Sequence, residues 1–197
     1  MVLALSGLTA CDRQEGLQPQ AHDDNVFMKI NHDMMDNMMA MTMTNDADHD
    51  FAMMMMMHHQ GAIDMSNELV ISGDATPIRE IAQRVIAAQQ AEKTMLDQFV
   101  KSHTAEANAA GQTASREYMM AMDKMEKAQD IRILTGDADV DYAQLLIDHH
   151  QSAIEMARTE LEHGDVLQMK AMAEKMIDDQ MKEIDELQTW LQQNKNY

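Results

Sequence analysis

The chain has one cysteine, two prolines and seven glycines in 197 residues, and its Phe, Tyr and Trp together number only seven. A single thiol excludes an internal disulfide framework and any Cys-x-x-Cys redox or zinc motif. So little Gly and Pro argues against a sheet-rich, turn-rich fold. Positive charge is also scarce: 15 Lys and Arg stand against 34 Asp and Glu, a net charge of −19. Nucleic acid is therefore not expected as a partner, because phosphate binding needs clustered cations. An acidic surface keeps the chain in solution and attracts cations. No apolar run approaches the ~20 residues of a membrane span. No phosphate loop occurs, and Ser66, Ser115 and Ser152 sit in no nucleophile elbow.

What the chain has is methionine, 24 in all, and a duplication. Residues 50–100 align without gaps to residues 141–191 at an offset of 91, with 15 identities in the 51 positions. Each copy carries a His-His-Gln run: His58-His59-Gln60 in the first, His149-His150-Gln151 in the second. In each, a thioether follows seven positions after the first His, Met65 and Met156. Upstream, Thr44-Asn45-Asp46-Ala47-Asp48 matches Thr135-Gly136-Asp137-Ala138-Asp139, and Met28 and Met34 fall opposite Met119 and Met125.

Ala, Gln, Glu, Met and Leu dominate and favour helix. The apolar spacing predicts, in each copy, a shorter Met-bearing helix (about 26–43 and 116–133) and two long ones. The long helices are expected at about 48–72 and 139–163, then 76–101 and 166–193. Gly73 and Gly164 are expected to end the first long helix of each copy in the left-handed conformation. Thr76 is expected to cap the next helix, with Pro77 at its first position. Asp137 to Asp141 lacks the Gly and Glu of a calcium loop and is expected to cap a helix. The result is an all-α fold, a four-helix bundle made of two duplicated hairpins, with the short helices packed outside or across it. Repeats span 26–101 and 116–193, forming one domain, with residues 102–115 as linker and 12–24 as a polar tether. Residues 1–11 carry an apolar start and Leu8-Thr9-Ala10-Cys11, which resembles part of a bacterial lipoprotein signal. A periplasmic or extracytoplasmic location is expected, with a lipid anchor at Cys11.

On a helix, His58 and Met65 share a stripe with Met54, and His149 and Met156 repeat it. The neighbours His59 and His150 point about 100° away. Antiparallel hairpins could bring His58, His149, Met65 and Met156 to one centre. Imidazole suits zinc, copper, iron and nickel, whereas a thioether selects Cu(I). A second thioether set is Met34, Met35, Met38, Met39, Met41 and Met43, followed by Met53 to Met57 ahead of His58, with His32 and His49 nearby. Five consecutive Met on one helix point all round it, so some are expected to be exposed. Met54, Met55 and Met56 are expected in core positions, and Met53 and Met57 in place of polar residues. Gln89, Glu92, Gln180 and Glu183, with Asp64 and Glu155, are candidates to hold the imidazoles by hydrogen bonds. A di-iron centre needs Glu-x-x-His on two helices, and only Glu160 to His163 supplies one.

The His-His-Gln-x-Ala-Ile-[Asp/Glu]-Met run, the Thr-Gly-Asp-Ala-Asp-Val-Asp-Tyr-Ala lead-in and the trailing Gln-x-x-Glu helix resemble a bacterial family catalogued as domain of unknown function 305. The resemblance covers about residues 26–193. It implies a ferritin-like helical bundle outside the cytoplasm, and some members are copper-binding proteins linked to copper tolerance. On this chain it points to His58, His59, His149 and His150, with Met65, Met156 and the Met34–Met57 cluster. The expected function is a non-enzymatic copper-binding protein that sequesters Cu(I) or Cu(II) or hands it to an efflux or chaperone protein. Silver and zinc are further candidate ions. The alternatives are a ferritin-like metal-dependent oxidase and a structural bundle with core histidines. The Met run precedes only His58, so Cu(I) chemistry is expected chiefly in the first copy, and Cu(II) or a structural role in the second.

Overall fold

The computed structural model describes residues 19–194, and the signal-like stretch with Cys11 lies outside them. Six α-helices follow a 3-10 turn at His22–Asp24: α1 (Val26–Met39), α2 (Ala47–Ser72), α3 (Thr76–Ser102), α4 (Ala109–Asp130), α5 (Ala138–His163) and α6 (Leu167–Gln193). Ends of α2 and α3 coincide with those of α5 and α6 once 91 is added. The fold is all-α, as its composition requires.

α2 and α5 lie antiparallel at the centre. Each packs along its hairpin partner, α3 or α6, while α1 covers α2 and α4 covers α5 and part of α2. The direction follows from two reciprocal contacts. Asp48, at the start of α2, accepts hydrogen bonds from the amides of Asp165 and Val166 in the α5–α6 turn, both at 2.9 Å. Asp139, its counterpart, accepts from Asp74 and Ala75 in the α2–α3 turn, also at 2.9 Å. Each half thus closes the hairpin of the other.

These carboxylates correct two expectations. Thr76 does not cap α3: the cap position is Ala75, with no side-chain bond of its own, and Asp139 from the other half accepts from the Asp74 and Ala75 amides that lead into the helix. Gly73 and Gly164 are extended, at φ −79° and −68°, rather than left-handed. Glycine is needed there for space. A Cβ on Gly73 would lie 2.7 Å from Asp139 Oδ1, and one on Gly164 would overlap the Glu160 carboxyl.

The turn before each central helix is duplicated too. Asp50 accepts from the Thr44 amide and hydroxyl and the Asn45 amide, and Asp141 repeats this with Thr135 and Gly136. Asn45 and Gly136 take positive φ of 62° and 79° there. Asp46 and Asp137 cap α2 and α5. α4 starts at Ala109, so residues 109–115, expected as linker, are helical. Asn108 caps it through the Gly111 amide, and Gly111 lets its first turn press on the Asn45 backbone. The segment expected as a tether is docked from Gln20 onward, where its amide bonds Leu134 O at 2.7 Å.

The interior falls into two apolar clusters. One contains Met65, Leu69, Ile78, Val85, Tyr142 and Leu146. The other is built from methionine of both repeats, including Met34, Met54, Met55, Met122, Met156 and Met176. Each fully buried side chain of this kind contributes roughly 1.5–3 kcal/mol. Along α2 and α5, the four central histidines separate the two clusters.

Candidate metal centre

Helix periodicity puts His58 and His59 on different faces, and the structure uses both. His59 turns toward α3, its Nε2 donating to Glu92 Oε2 at 2.9 Å. His150 turns toward α6, with Nε2 2.8 Å from Glu183 Oε2, close but outside hydrogen-bond geometry. A carboxylate only accepts, so His59 carries a proton on Nε2, and its Nδ1 has no hydrogen-bond partner.

His58 and His149 meet where α2 crosses α5. Their ring centroids are 3.6 Å apart and both residues are fully buried. Burial lowers both pKa values well below the ordinary histidine value; neighbouring imidazoles, His149 first for His58 and His150 first for His149, push the same way. Both rings are thus neutral at physiological pH, the form that ligates metal. His58 Nε2 lies 2.8 Å from Ser152 Oγ. That hydroxyl also approaches the His149 carbonyl at 2.7 Å and Met125 Sδ at 3.2 Å. With one proton to give, Ser152 satisfies the set when His58 Nε2–H donates to it, which leaves His58 Nδ1 bare. Neither nitrogen of His149 has a partner in good hydrogen-bond geometry, although the His58 backbone lies close enough to oppose the lowering of its pKa.

A thioether lies in the neighbourhood of each ring. Gly61 and Ser152 are equivalent positions, as are Met34 and Met125. A Cβ on Gly61 would overlap Met34 Sδ and lie 3.4 Å from His149 Nε2. Met34 therefore stands beside His149 as Met125 stands beside the Ser152–His58 pair. Two neutral imidazoles and two thioethers make a donor set suited to a soft ion. Met125 was not among the residues singled out from the sequence, although the 91-residue offset applied to Met34 identifies it.

Met65 and Met156 do not join this centre. Each lies seven residues past its His, about 10 Å along the axis. Because α2 and α5 run antiparallel, those displacements point in opposite directions, and the two sulfurs end in different apolar clusters. Asp64 and Glu155 do not support a histidine either. Asp64 is exposed and accepts from Gln60, and Glu155 pairs with Lys124. Gln89 and Gln180 are buried, each with an unpartnered Oε1. Within the Met34–Met57 cluster, Met34, Met35, Met38, Met54 and Met55 are buried, Met41, Met43, Met53, Met56 and Met57 are half-buried, and Met39 alone is exposed. The expected exposed excess is therefore small, since α1 and α4 cover the central helices, and Met56 is not fully buried. His49 lies with His103 at the start of α2, and His32 is half-buried on α1.

A separate group at the surface, Glu117, Glu162 and His163, has ligand atoms within 4.8 Å of one another. Glu160 is not part of it: its buried carboxyl meets the Tyr118 hydroxyl at 3.1 Å. The Glu160 to His163 spacing therefore does not make a di-iron ligand pair here.

The family profile described as a domain of unknown function, DUF305, matches residues 48–191. The chain belongs to DUF305. Its fold is shared with a DUF305 protein of Streptomyces coelicolor, inferred to be secreted, whose crystal structure aligns at a TM-score of 0.60 and 24% identity over 76% of this chain and 92% of that one. A DUF305 fragment from Deinococcus radiodurans aligns at 0.55 and 16% identity over 75% and 96%. No curated protein matches the chain. No helix among the described residues of this DUF305 protein is long and apolar enough to cross a membrane.

Proposed function

We propose that this DUF305 protein is a non-enzymatic Cu(I) carrier that holds the ion between its halves, at His58 and His149 with Met34 and Met125. The observation that carries this reading is the His149 ring, fully buried with both nitrogens unbonded against a second neutral imidazole. An unsatisfied buried polar group costs about 1–3 kcal/mol. A bound cation would turn that cost into ligation. The thioethers favour Cu(I), with Ag(I) as its chemical relative, over zinc or Cu(II). Glu92 and Glu183 would hold the adjacent histidines in register.

Thioether and imidazole donors resist the oxidation that disables thiols, which suits an extracytoplasmic carrier. The inferred secretion of the Streptomyces relative supports that location, and Cys11 would supply the lipid anchor. Passage of the ion to an efflux or chaperone protein would complete the role in copper homeostasis.

Anaerobic Cu(I) titration against a coloured chelator tests the reading. Wild type is expected to bind tightly, and His149→Leu or Met34→Leu to weaken binding on the order of 10–100-fold. Met65→Leu and Met156→Leu are expected to leave affinity unchanged. Equal tight affinity in wild type and His149→Leu would sink the proposed centre, and absence of tight binding in both would leave a structural bundle.

A further inference from the structure

Each half has a groove over its first helix and the central helix behind it, lined by equivalent residues. The groove of the first half measures about 390 Å³ and that of the second about 160 Å³. The residues responsible differ in kind. In the second half, Lys124 pairs with Glu155 at 2.7 Å across the mouth. Asp33 and Asp64 occupy those positions in the first half, two exposed carboxylates on one groove. In the second half Arg132 grips Asp148 with two bonds, at 2.8 and 2.6 Å. The equivalent residues of the first half are Met41 and Met57, both half-buried against the methionine-rich cluster. At the floor, Ser152 fills the second groove and bonds Met125, whereas Gly61 leaves the first open down to Met34. Behind Gly61 lies His149 Nε2, buried and without a partner.

We infer that the groove between α1 and α2 is the cation portal of this protein, passing a soft monovalent ion from Asp33 and Asp64 over Met57 to Met34, whose sulfur occupies the space beside Gly61, and from there to His149. The inference rests on the Cu(I) reading and adds its route and its one-sidedness. The carboxylate pair concentrates cations at the mouth, where no Lys or Arg lines the groove itself, although Lys93 bonds the lining residue Gln60 from α3. Met57 and Met34 exchange water ligands for sulfur before the ion meets imidazole. The second groove is its locked duplicate: one ion pair cancels the charge, another replaces the thioethers, and a hydroxyl plugs the floor.

The test is the rate of Cu(I) uptake, followed by stopped flow under anaerobic conditions at low and high salt. Asp33→Lys copies Lys124 and is exposed, so it alters the mouth and leaves the core intact. It is expected to slow loading about tenfold at low salt, with the difference shrinking as salt rises, and to leave the equilibrium affinity within about twofold of wild type. Lys124→Asp, in the locked groove, is expected to load at the wild-type rate. Wild-type uptake by Asp33→Lys with affinity intact, or acceleration by Lys124→Asp alone, overturns the portal while the Cu(I) reading stands. Absence of Cu(I) binding in the wild type overturns the Cu(I) reading itself, and the route with it.

Discussion

Glu160 is fully buried, and burial, reinforced by Asp48 nearby, raises its pKa to about 9. Its counterpart in the first half is Leu69, equally buried. A carboxyl whose folded pKa is raised binds its proton more tightly folded than unfolded. The folded state is thus favoured fully below the ordinary value of 4.5, and that advantage is lost as pH rises toward 9. Glu160→Leu copies the first half and removes the titration. The melting temperature of this variant should pull ahead of wild type between pH 5 and pH 9, by on the order of 5 °C at the alkaline end. A gap that stays constant across that range would mean Glu160 is already ionised in the fold. At this scale the sequence was informative about His58 and His149, whose repetition flags them. It showed Glu160 only as part of a lone Glu-x-x-His spacing, because the residue's meaning depends on Tyr118 and Asp48, which lie 42 and 112 residues away.

The limits of the four long helices were legible because the offset of 91 lets each copy vouch for the other and Gly-Asp punctuates both hairpins, whereas α1 ends at Met39 rather than 43 and α4 runs from Ala109 to Asp130 rather than 116 to 133. What closes the hairpins was not legible. Asp48 and Asp139 look like ordinary first-turn acids, and only the antiparallel crossing carries each to the far turn. The linker misled for a related reason: Asn108 and Gly111 belong to a loop-like composition, yet one caps α4 and the other admits its close approach to Asn45. A hydrogen bond to a charged acceptor contributes about 1.5–3 kcal/mol, and each Asp accepts two. Asp48→Ala is expected to destabilise by about 3 kcal/mol, with hydrogen exchange accelerating first at Asp165 and Val166, in the other repeat. Exchange that speeds up only within α2 would show the contact to be incidental.

Across the whole molecule, the placement of the centre could not be read from spacing alone. The stripe His58–Met65 is correct as a stripe, but the partner helix runs the other way, so about four turns of rise separate the sulfurs rather than joining them. Each half contributes one central imidazole and one thioether, and neither half holds the set. Co-expressed as residues 19–104 and 107–194, the halves are expected to purify together and bind Cu(I), and each alone to lack tight binding. Tight binding by one half alone would move the site away from the crossing.

The reciprocal closure of the hairpins by Asp48 and Asp139 has a consequence for how such a protein can be specialised. Two identical hairpins clasping one another would always present two identical doors. Carrying both on one chain lets each door mutate separately while the clasp is kept, so traffic can be given a direction without touching the lock at the centre.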